Sequence, residues 1–299
     1  MFKFWMSEKF PLHLMLLPSL VILAVYSYWP MVGVSIAFQK YIPTKGIFGS
    51  PWVGWNHFEY LFQLPDTKRV IINTLAIASM KIVAGLIVPI IVSLLLNEVR
   101  KNVFKRTFQT LVYLPHFLSW VILGGILIDL LSPSHGLVNQ FLGVFGIQPI
   151  FFLGDNHWFR FILVVSDVWK EFGFNTIVYL AALTGINPAL YEAAEMDGAS
   201  RLRQTWHITL PGMLPIVILM ATLSLGNILN AGFDQVFNLY SSTVYESGDI
   251  IDTLVYRLGI LQAQYGLATA VGLLKSVVSL IMISCSYFLA YRFANYRIF

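Results

Sequence analysis

Two sets of residues have types and spacings that can do chemistry. The first is the polar strip EAAEMDGASRLRQTWHITLPGMLP, Glu192–Pro215, set in a chain that is otherwise mostly apolar. Its Glu192, Glu195 and Asp197 can be offered together to a soluble partner. The second set lies inside apolar runs, where polar side chains are costly and mark functional positions by default. His116 and Trp120 form one group, and Trp169, Lys170 and Glu171 another. Asn227 and Asn230 stand three apart in an expected helical span, hence on one helix face, with Asp234 one turn below Asn230. Each asparagine both donates and accepts hydrogen bonds, each tryptophan offers a flat apolar face, and Lys170 or His116 can meet a carboxylate. Asp167 and Asp234 stay undecided between a structural and a functional role. Asp129, Lys81 and Lys275 sit near run ends or can extend along apolar surface to water, and read as structural.

Catalysis has little to stand on. The chain shows no H-E-x-x-H, no G-x-S-x-G and no spaced Cys/His cluster, so no catalytic or metal-binding residue is assigned. The one cysteine, Cys285, lies in an apolar run and reads as a small packing residue.

The elements that must position these residues follow from composition. Only 11% of the 299 residues are charged, and mean hydropathy is +0.72. Soluble domains carry about 25% charged residues, so this chain cannot cover a water-facing surface of its size. About 20 residues at ~1.5 Å rise cross a ~30 Å hydrocarbon layer. Six spans emerge, at about 12–38, 69–97, 108–131, 158–185, 212–236 and 266–291, within a single domain over 1–299. The apolar stretch after MFKFWMSEKF is too long for a signal peptide and lacks an A-x-A-like site, so it reads as a retained first helix.

Basic residues set the orientation. With the N-terminus inside, the inner segments hold Lys3, Lys9, Arg100, Lys101, Lys105, Arg106, Arg201, Arg203, Arg292 and Arg297. The outer ones hold only Lys40, Lys45, Lys68, Arg69, Arg160 and Arg257. Both termini are therefore expected in the cytoplasm. Lys40–Tyr60 is then external, with Trp52, Trp55 and Tyr60 as an interfacial aromatic belt, and 132–157 and 237–265 also face outward.

The polar strip falls in a cytoplasmic loop, 187–211. Asn187 is a good N-cap and Pro188 suits the first helical position, where its missing N–H costs nothing. Gly198 permits a turn that other residues resist. Pro211 and Pro215 bracket the start of the fifth span. On charge alone the strip also reads as an ordinary solvated loop.

Its arrangement is more specific. EAAEMDGA followed about a dozen residues later by ITLPGMLP closely resembles the EAA loop of ATP-binding-cassette importer permeases. The resemblance implies a type I importer permease fold, an all-α integral membrane protein with six transmembrane helices. It makes Glu192, Ala193, Ala194, Asp197, Gly198, Ala199, Leu210, Pro211 and Pro215 the coupling element that docks on an ATPase subunit. Trp206 stands where that family often has another aromatic residue. The segments LVYLPHFLSWVILGGILIDLL, DVWKEFGFNTIVYLAALTGINPALYEAAEMDGA, FDQVFNLYSSTVYESGDIIDTLVYR and IAFQKYIPTKGIFGSPWVGWNHF look like the carbohydrate-uptake branch, and within it like permeases for complex oligosaccharides and polysaccharide-breakdown products.

Similarity to the larger membrane subunit of the maltose importer implies substrate contacts at His116, Trp120, Trp169, Lys170, Glu171, Gly226, Asn227 and Asn230. Most of these residue types differ from the maltose case, so the implied positions carry no sugar specificity. Trp120 and Trp169 would stack on a pyranose, the asparagines would bond hydroxyls, and Lys170 or His116 would favour an acidic sugar. Lys170 can also simply neutralise Glu171, although adjacent helical residues point about 100° apart.

The chain lacks G-x-x-x-x-G-K-[ST], so it supplies no P-loop. The resemblance therefore implies that it holds no cofactor, with ATP and Mg bound by partner ATPases. The expected partners are a second homologous permease subunit, two ATPase subunits and an extracytoplasmic solute-binding protein, in a bacterial cell membrane. The alternative is an ion-coupled secondary transporter of a polar solute, with Asp167, Glu171 and Asp234 as its coupling carboxylates; it leaves the EAA loop unexplained.

Overall fold

The computed structural model describes residues 10–99 and 101–294. Lys3, Lys9, Arg100 and Arg297, used for orientation, lie outside them. Among the described residues every regular element is helical, apart from one antiparallel bridge between Gln39 and Trp52. The elements are α1 (Phe10–Leu23), α2 (Asn56–Gln63), α3 (Pro65–Glu98), α4 (Asn102–Tyr113), α5 (Trp120–Leu130) and α6 (Leu137–Val144). They are followed by α7 (Asn156–Thr184), α8 (Pro188–Met196), α9 (Leu210–Gly226), α10 (Phe233–Leu239), α11 (Ile251–Tyr256) and α12 (Tyr265–Ala294).

The chain divides into two compact units, Met1–Leu64 with Val255–Leu274, and Pro65–Leu254 with Lys275–Phe299. In the first, α1 runs on through a wide π turn (Ala24–Tyr28) into a 3-10 stretch (Trp29–Phe38). Trp29 N–H reaches back to Ala24, just before Pro30. Phe38 packs against Trp52, Trp55 and Phe58. Trp52, Trp55 and Tyr60, the expected aromatic belt, are exposed.

In the second unit α3 and α7 lie along each other. The core beside them joins Ile77, Phe159, Leu163 and Val236. α4 crosses α7 at Gly173, where a Cβ would stand 2.1 Å from the Val112 carbonyl oxygen, so only glycine fits.

Four helical runs are long and apolar enough to cross a membrane: Leu12–Phe38, Pro65–Glu98, Arg201–Gly226 and Tyr265–Phe288. These match the expected first, second, fifth and sixth spans, with the fifth shifted toward the N-terminus. The expected fourth span is the 29-residue α7, roughly 43 Å long at 1.5 Å per residue. Asp167, Lys170 and Glu171 at its centre keep it from counting as apolar.

Two expected spans are broken. The third, 108–131, bends by 103° between Val103–Phe117 and Trp120–Leu130. Pro115 removes a backbone donor there, and Ser119 caps the new helix by accepting from Ile122 N–H. The fifth, 212–236, ends at Gly226. Asn227 turns its side chain back to Leu223 O (3.2 Å), and Gly232 takes a left-handed φ of +90° before α10 begins. Asn227 and Asn230 therefore do not share a helix face, and Asp234 is not a turn below them. They lie in, or just beyond, a six-residue link that the apolar Ile228, Leu229 and Ala231 disguise as helix.

Candidate functional site

The polar strip folds as its local chemistry dictates. Asn187 accepts from Ala189 N–H at 3.0 Å, and Pro188 opens α8. Gly198, at φ +71°, closes it in a Schellman arrangement: Gly198 N–H bonds Glu195 O (3.0 Å) and Ala199 N–H bonds Ala194 O (2.9 Å). Glu192, Ala193 and Asp197 are exposed on this helix, as is Met196, while Ala194 and Ala199 are half-buried. The carboxylate of Glu192 has no hydrogen-bond or ion-pair partner among the described residues.

Beyond the turn, Arg201 begins a continuous helical run that includes Leu210, Pro211 and Pro215. A π turn over Thr205–Thr209 lets Leu210 N–H reach Thr205 O, just before Pro211, whose ring removes the next donor. This is the same device seen before Pro30. The α8 segment is tied down by Tyr191 Oη to Thr209 Oγ1 (2.9 Å), by Arg201 to Glu98 (3.1 Å), and by Ile186 seated on Gly212.

Part of the second set lines a cleft of ≈ 570 Å³. α3 contributes Ala78, Lys81, Ile82 and Gly85. α7 contributes Asp167, Val168, Glu171, Phe172 and Asn175. α9 and the following link contribute Ser224, Asn227, Asn230, Ala231 and Gly232. Of the residues singled out from sequence, Glu171, Asn227 and Asn230 line it. His116, Trp120, Trp169, Lys170 and Gly226 do not.

Their places explain why. His116 stacks on Phe174 (4.1 Å) and bonds Glu171 Oε2 through Nδ1 at 2.7 Å. Lys170 is buried, donating to His116 O (2.7 Å) and to Glu171 Oε1 (3.1 Å) beneath the Trp120 ring. The long lysine stem thus closes the pairing that the 100° offset made poor. Both side chains offered for an acidic sugar, His116 and Lys170, are engaged by Glu171. Trp120 packs against the core, Trp169 is 42% exposed outside the cleft lining, and Gly226 faces Ile283.

Lys81 corrects the expectation of an extended structural lysine. It is buried, not reaching for water. Its Nζ donates to Ala231 O at 2.7 Å and to Gln235 Oε1, and lies 3.1 Å from Asp167 Oδ1. Gln235 in turn donates to Leu163 O and Ser166 Oγ, each at 2.8 Å. The three Lys81 contacts fix the link carrying Asn230 against α3 and α7. Lys275, also read as structural, pairs with Asp252. Sequence reasoning left Lys81 structural and missed Gln235, Ser224 and Asn175. The signal for Asn175 was available: Asp167, Glu171 and Asn175 recur every four residues along one face of α7.

Comparison with known proteins agrees with this architecture. Residues 85–295 match the family of binding-protein-dependent transport system inner membrane components. The chain is 43% identical over 288 residues to the polygalacturonan/rhamnogalacturonan transport system permease protein YteP of Bacillus subtilis (strain 168), covering 96% of this chain and 90% of that one. Its fold is similar to a bacterial ABC transporter involved in the import of the acidic polysaccharide alginate, with TM-score 0.89, 40% identity and coverage of 95% and 96% of the two chains. A second crystal structure, of a bacterial alginate ABC transporter in complex with an alginate pentasaccharide-bound periplasmic protein, gives TM-score 0.89 and 40% identity over 97% of each chain.

The chain therefore belongs to this family and is a multi-pass permease subunit of the inner membrane, working with a binding protein. It is not itself the ATPase, which is a separate subunit that binds the ATP, and the ion-coupled alternative gives way.

Proposed function

We propose that this chain, as a member of the binding-protein-dependent permeases, forms half of the translocation pathway of an ATP-driven importer of acidic oligosaccharides. Named relatives handle polygalacturonan, rhamnogalacturonan and alginate, and these names support a uronate-containing substrate. In this reading six spans cross the membrane: the four apolar runs, the bent α4–α5 pair and α7. Both termini face the cytoplasm. A second, homologous permease subunit completes the pathway, two ATPases bind below, and a binding protein delivers the sugar from outside.

Ligands move such a machine only by binding its two states with different affinity. ATP closes the ATPase pair, and α8 carries that movement into α9 and, through Arg201 and Glu98, into α3. Within the cleft, Glu171, Asn227 and Asn230 take the sugar, while His116, Lys170 and Trp120 position Glu171. Gly226 ends α9 so that the asparagines leave the helix. Trp169 offers an exposed ring on the same helix as Glu171.

The observation that carries the reading is α8: a capped, exposed helix whose Glu192 finds no partner among the described residues. The test is reconstitution with the partner subunits in proteoliposomes, measuring solute-stimulated ATP hydrolysis. Glu192→Ala is expected to lower stimulation about tenfold, the loss of ~1.4 kcal/mol of coupling, with the complex still assembled. Full stimulation in the assembled variant removes α8 from the coupling path.

A further inference from the structure

We propose that Asp167 and Glu171 together read the hydroxyl face of the sugar and turn its carboxylates away from α7. The inference rests on the carbohydrate reading above and adds to it a specificity determinant, Asp167, and an orientation.

The cleft is built with its charges inside out for an anionic ligand. Each carboxylate has a lysine partner at 3.1 Å, Lys81 for Asp167 and Lys170 for Glu171. Both lysine side chains are only 9% exposed, whereas Asp167 is 27% and Glu171 33% exposed. Lys170 lies outside the lining; Lys81 is part of it, but its ammonium is held by Asp167, Ala231 O and Gln235 Oε1, and the two carboxylates are the more exposed groups. A uronate carboxylate placed against this wall meets two carboxylates and one ammonium already engaged by three acceptors.

Hydroxyl groups suit the wall better. An ionised carboxylate only accepts, and each oxygen has two lone-pair sites. Asp167 Oδ2 has no protein partner among the described residues, and the single contacts to Glu171 Oε1 and Oε2 leave each with a free site. Sugar O–H groups donating to them form charge-assisted bonds, about twice as strong as neutral ones. The two acids are four residues apart on α7, roughly 6 Å along the axis, which is the scale of one pyranose ring. Around them stand amides that complete a hydroxyl-binding surface. Asn175 is one turn further along α7, and among the described residues the Asn227 side-chain carbonyl and the Asn230 N–H₂ have no partner. A cleft of ≈ 570 Å³ is of the size that holds a small ligand. Because the Lys81 ammonium is already engaged, a cation for a uronate carboxylate must then come from outside this cleft.

The experiment measures equilibrium binding to the assembled, nucleotide-free transporter in nanodiscs, without binding protein. The probes are a galacturonate tetrasaccharide and the same tetrasaccharide with its carboxylates reduced to primary alcohols. Wild type is expected to bind the reduced probe at least as tightly as the acidic one. Glu171→Gln, and the double change Lys81→Met with Asp167→Asn, are each expected to weaken both probes about tenfold and to equal degree. Removing the Lys81–Asp167 pair as a unit avoids stranding a buried charge, and co-purification of the partner subunits reports that each variant is folded. A Glu171→Gln variant that binds the acidic probe more tightly and the reduced probe unchanged means that the wall merely repels, and overturns the inference. So does unaltered binding of both probes, or a wild type that prefers the acidic probe tenfold. Wild type that binds neither probe overturns the carbohydrate reading itself.

Discussion

Lys81 Nζ lies 3.1 Å from Asp167 Oδ1, joining the middle of α3 to the middle of α7 at the wall of the cleft. The same ammonium holds the Ala231 carbonyl and the Gln235 side chain. A buried cation costs several kcal/mol of lost hydration unless good acceptors surround it, and breaking one side of such a pair strands the other. Three acceptors from three separate elements make Lys81 the point where helix packing and cleft geometry meet.

Lys81→Met is therefore expected to destabilise the complex by about 3 kcal/mol, because it leaves Gln235 Oε1 and the Ala231 carbonyl short of a donor and Asp167 without its counter-ion. The double variant with Asp167→Asn should recover part of this loss. Thermal unfolding of the purified transporter measures both. A single variant as stable as wild type shows that the interaction contributes nothing net.

Gly232 sits beside that ammonium. Its φ of +90° is open to glycine and strained for other residues, and a Cβ there would stand 2.9 Å from Lys81 Nζ. Gly232→Ala combines about 1–2 kcal/mol of backbone strain with displacement of the lysine. The expected result is a lower unfolding temperature and weaker oligosaccharide uptake. Since the strain is local to the link, assembly with the ATPases should persist in a pull-down. An unaffected uptake rate counts against the link as part of the pathway.

Much of this was legible in the sequence. The apolar runs mark the spans because nothing but helix satisfies the backbone in a hydrocarbon layer. The cap at Asn187 and the turn at Gly198 were readable because they are local chemistry, decided within a few residues. The break after Gly226 was not read, because Ile228, Leu229 and Ala231 keep the hydropathy of a span while Asn227, Asn230 and Gly232 supply turn chemistry. The bend at Pro115 was missed for the same reason. Lys81 was beyond local reading altogether: its acceptor Ala231 is 150 residues away, and only packing brings them together. Asp167 and Glu171 were visible, but the neighbourhood Trp169-Lys170-Glu171 was read as a run when the four-residue stripe of α7 is what faces the cleft.

Gly173 tests the packing of that helix. A Cβ would lie 2.1 Å from Val112 O and 2.6 Å from Val112 C, both backbone atoms that cannot rotate aside. Gly173→Ala must push α4 away from α7, a clash of the overpacking kind that costs roughly 1–3 kcal/mol. The displacement also moves the His116 turn, which follows α4 directly and holds Glu171. Reduced thermal stability together with reduced solute-stimulated ATP hydrolysis is expected. Loss of stability with full stimulation separates the packing role from the site.

The closing turn of α8 makes a graded prediction. Gly198 has φ +71°, a region that asparagine tolerates better than other non-glycine residues and that a β-branched side chain resists. No atom lies within 4 Å of a Cβ built there, so any penalty comes from the backbone and not from crowding. The series Gly198→Asn, Gly198→Ala and Gly198→Val should therefore order by backbone strain alone. If this turn fixes the angle at which α8 meets the helix beginning at Arg201, solute-stimulated ATP hydrolysis falls in that order, from near wild type for asparagine to several-fold lower for valine. Asn187→Ala acts at the other end, removing the bond to Ala189 N–H and about 1 kcal/mol of capping. It frays the start of α8 without altering the turn, so its effect should be smaller than that of valine at 198. Equal activity across the glycine series would mean that force passes through α8 without needing this angle.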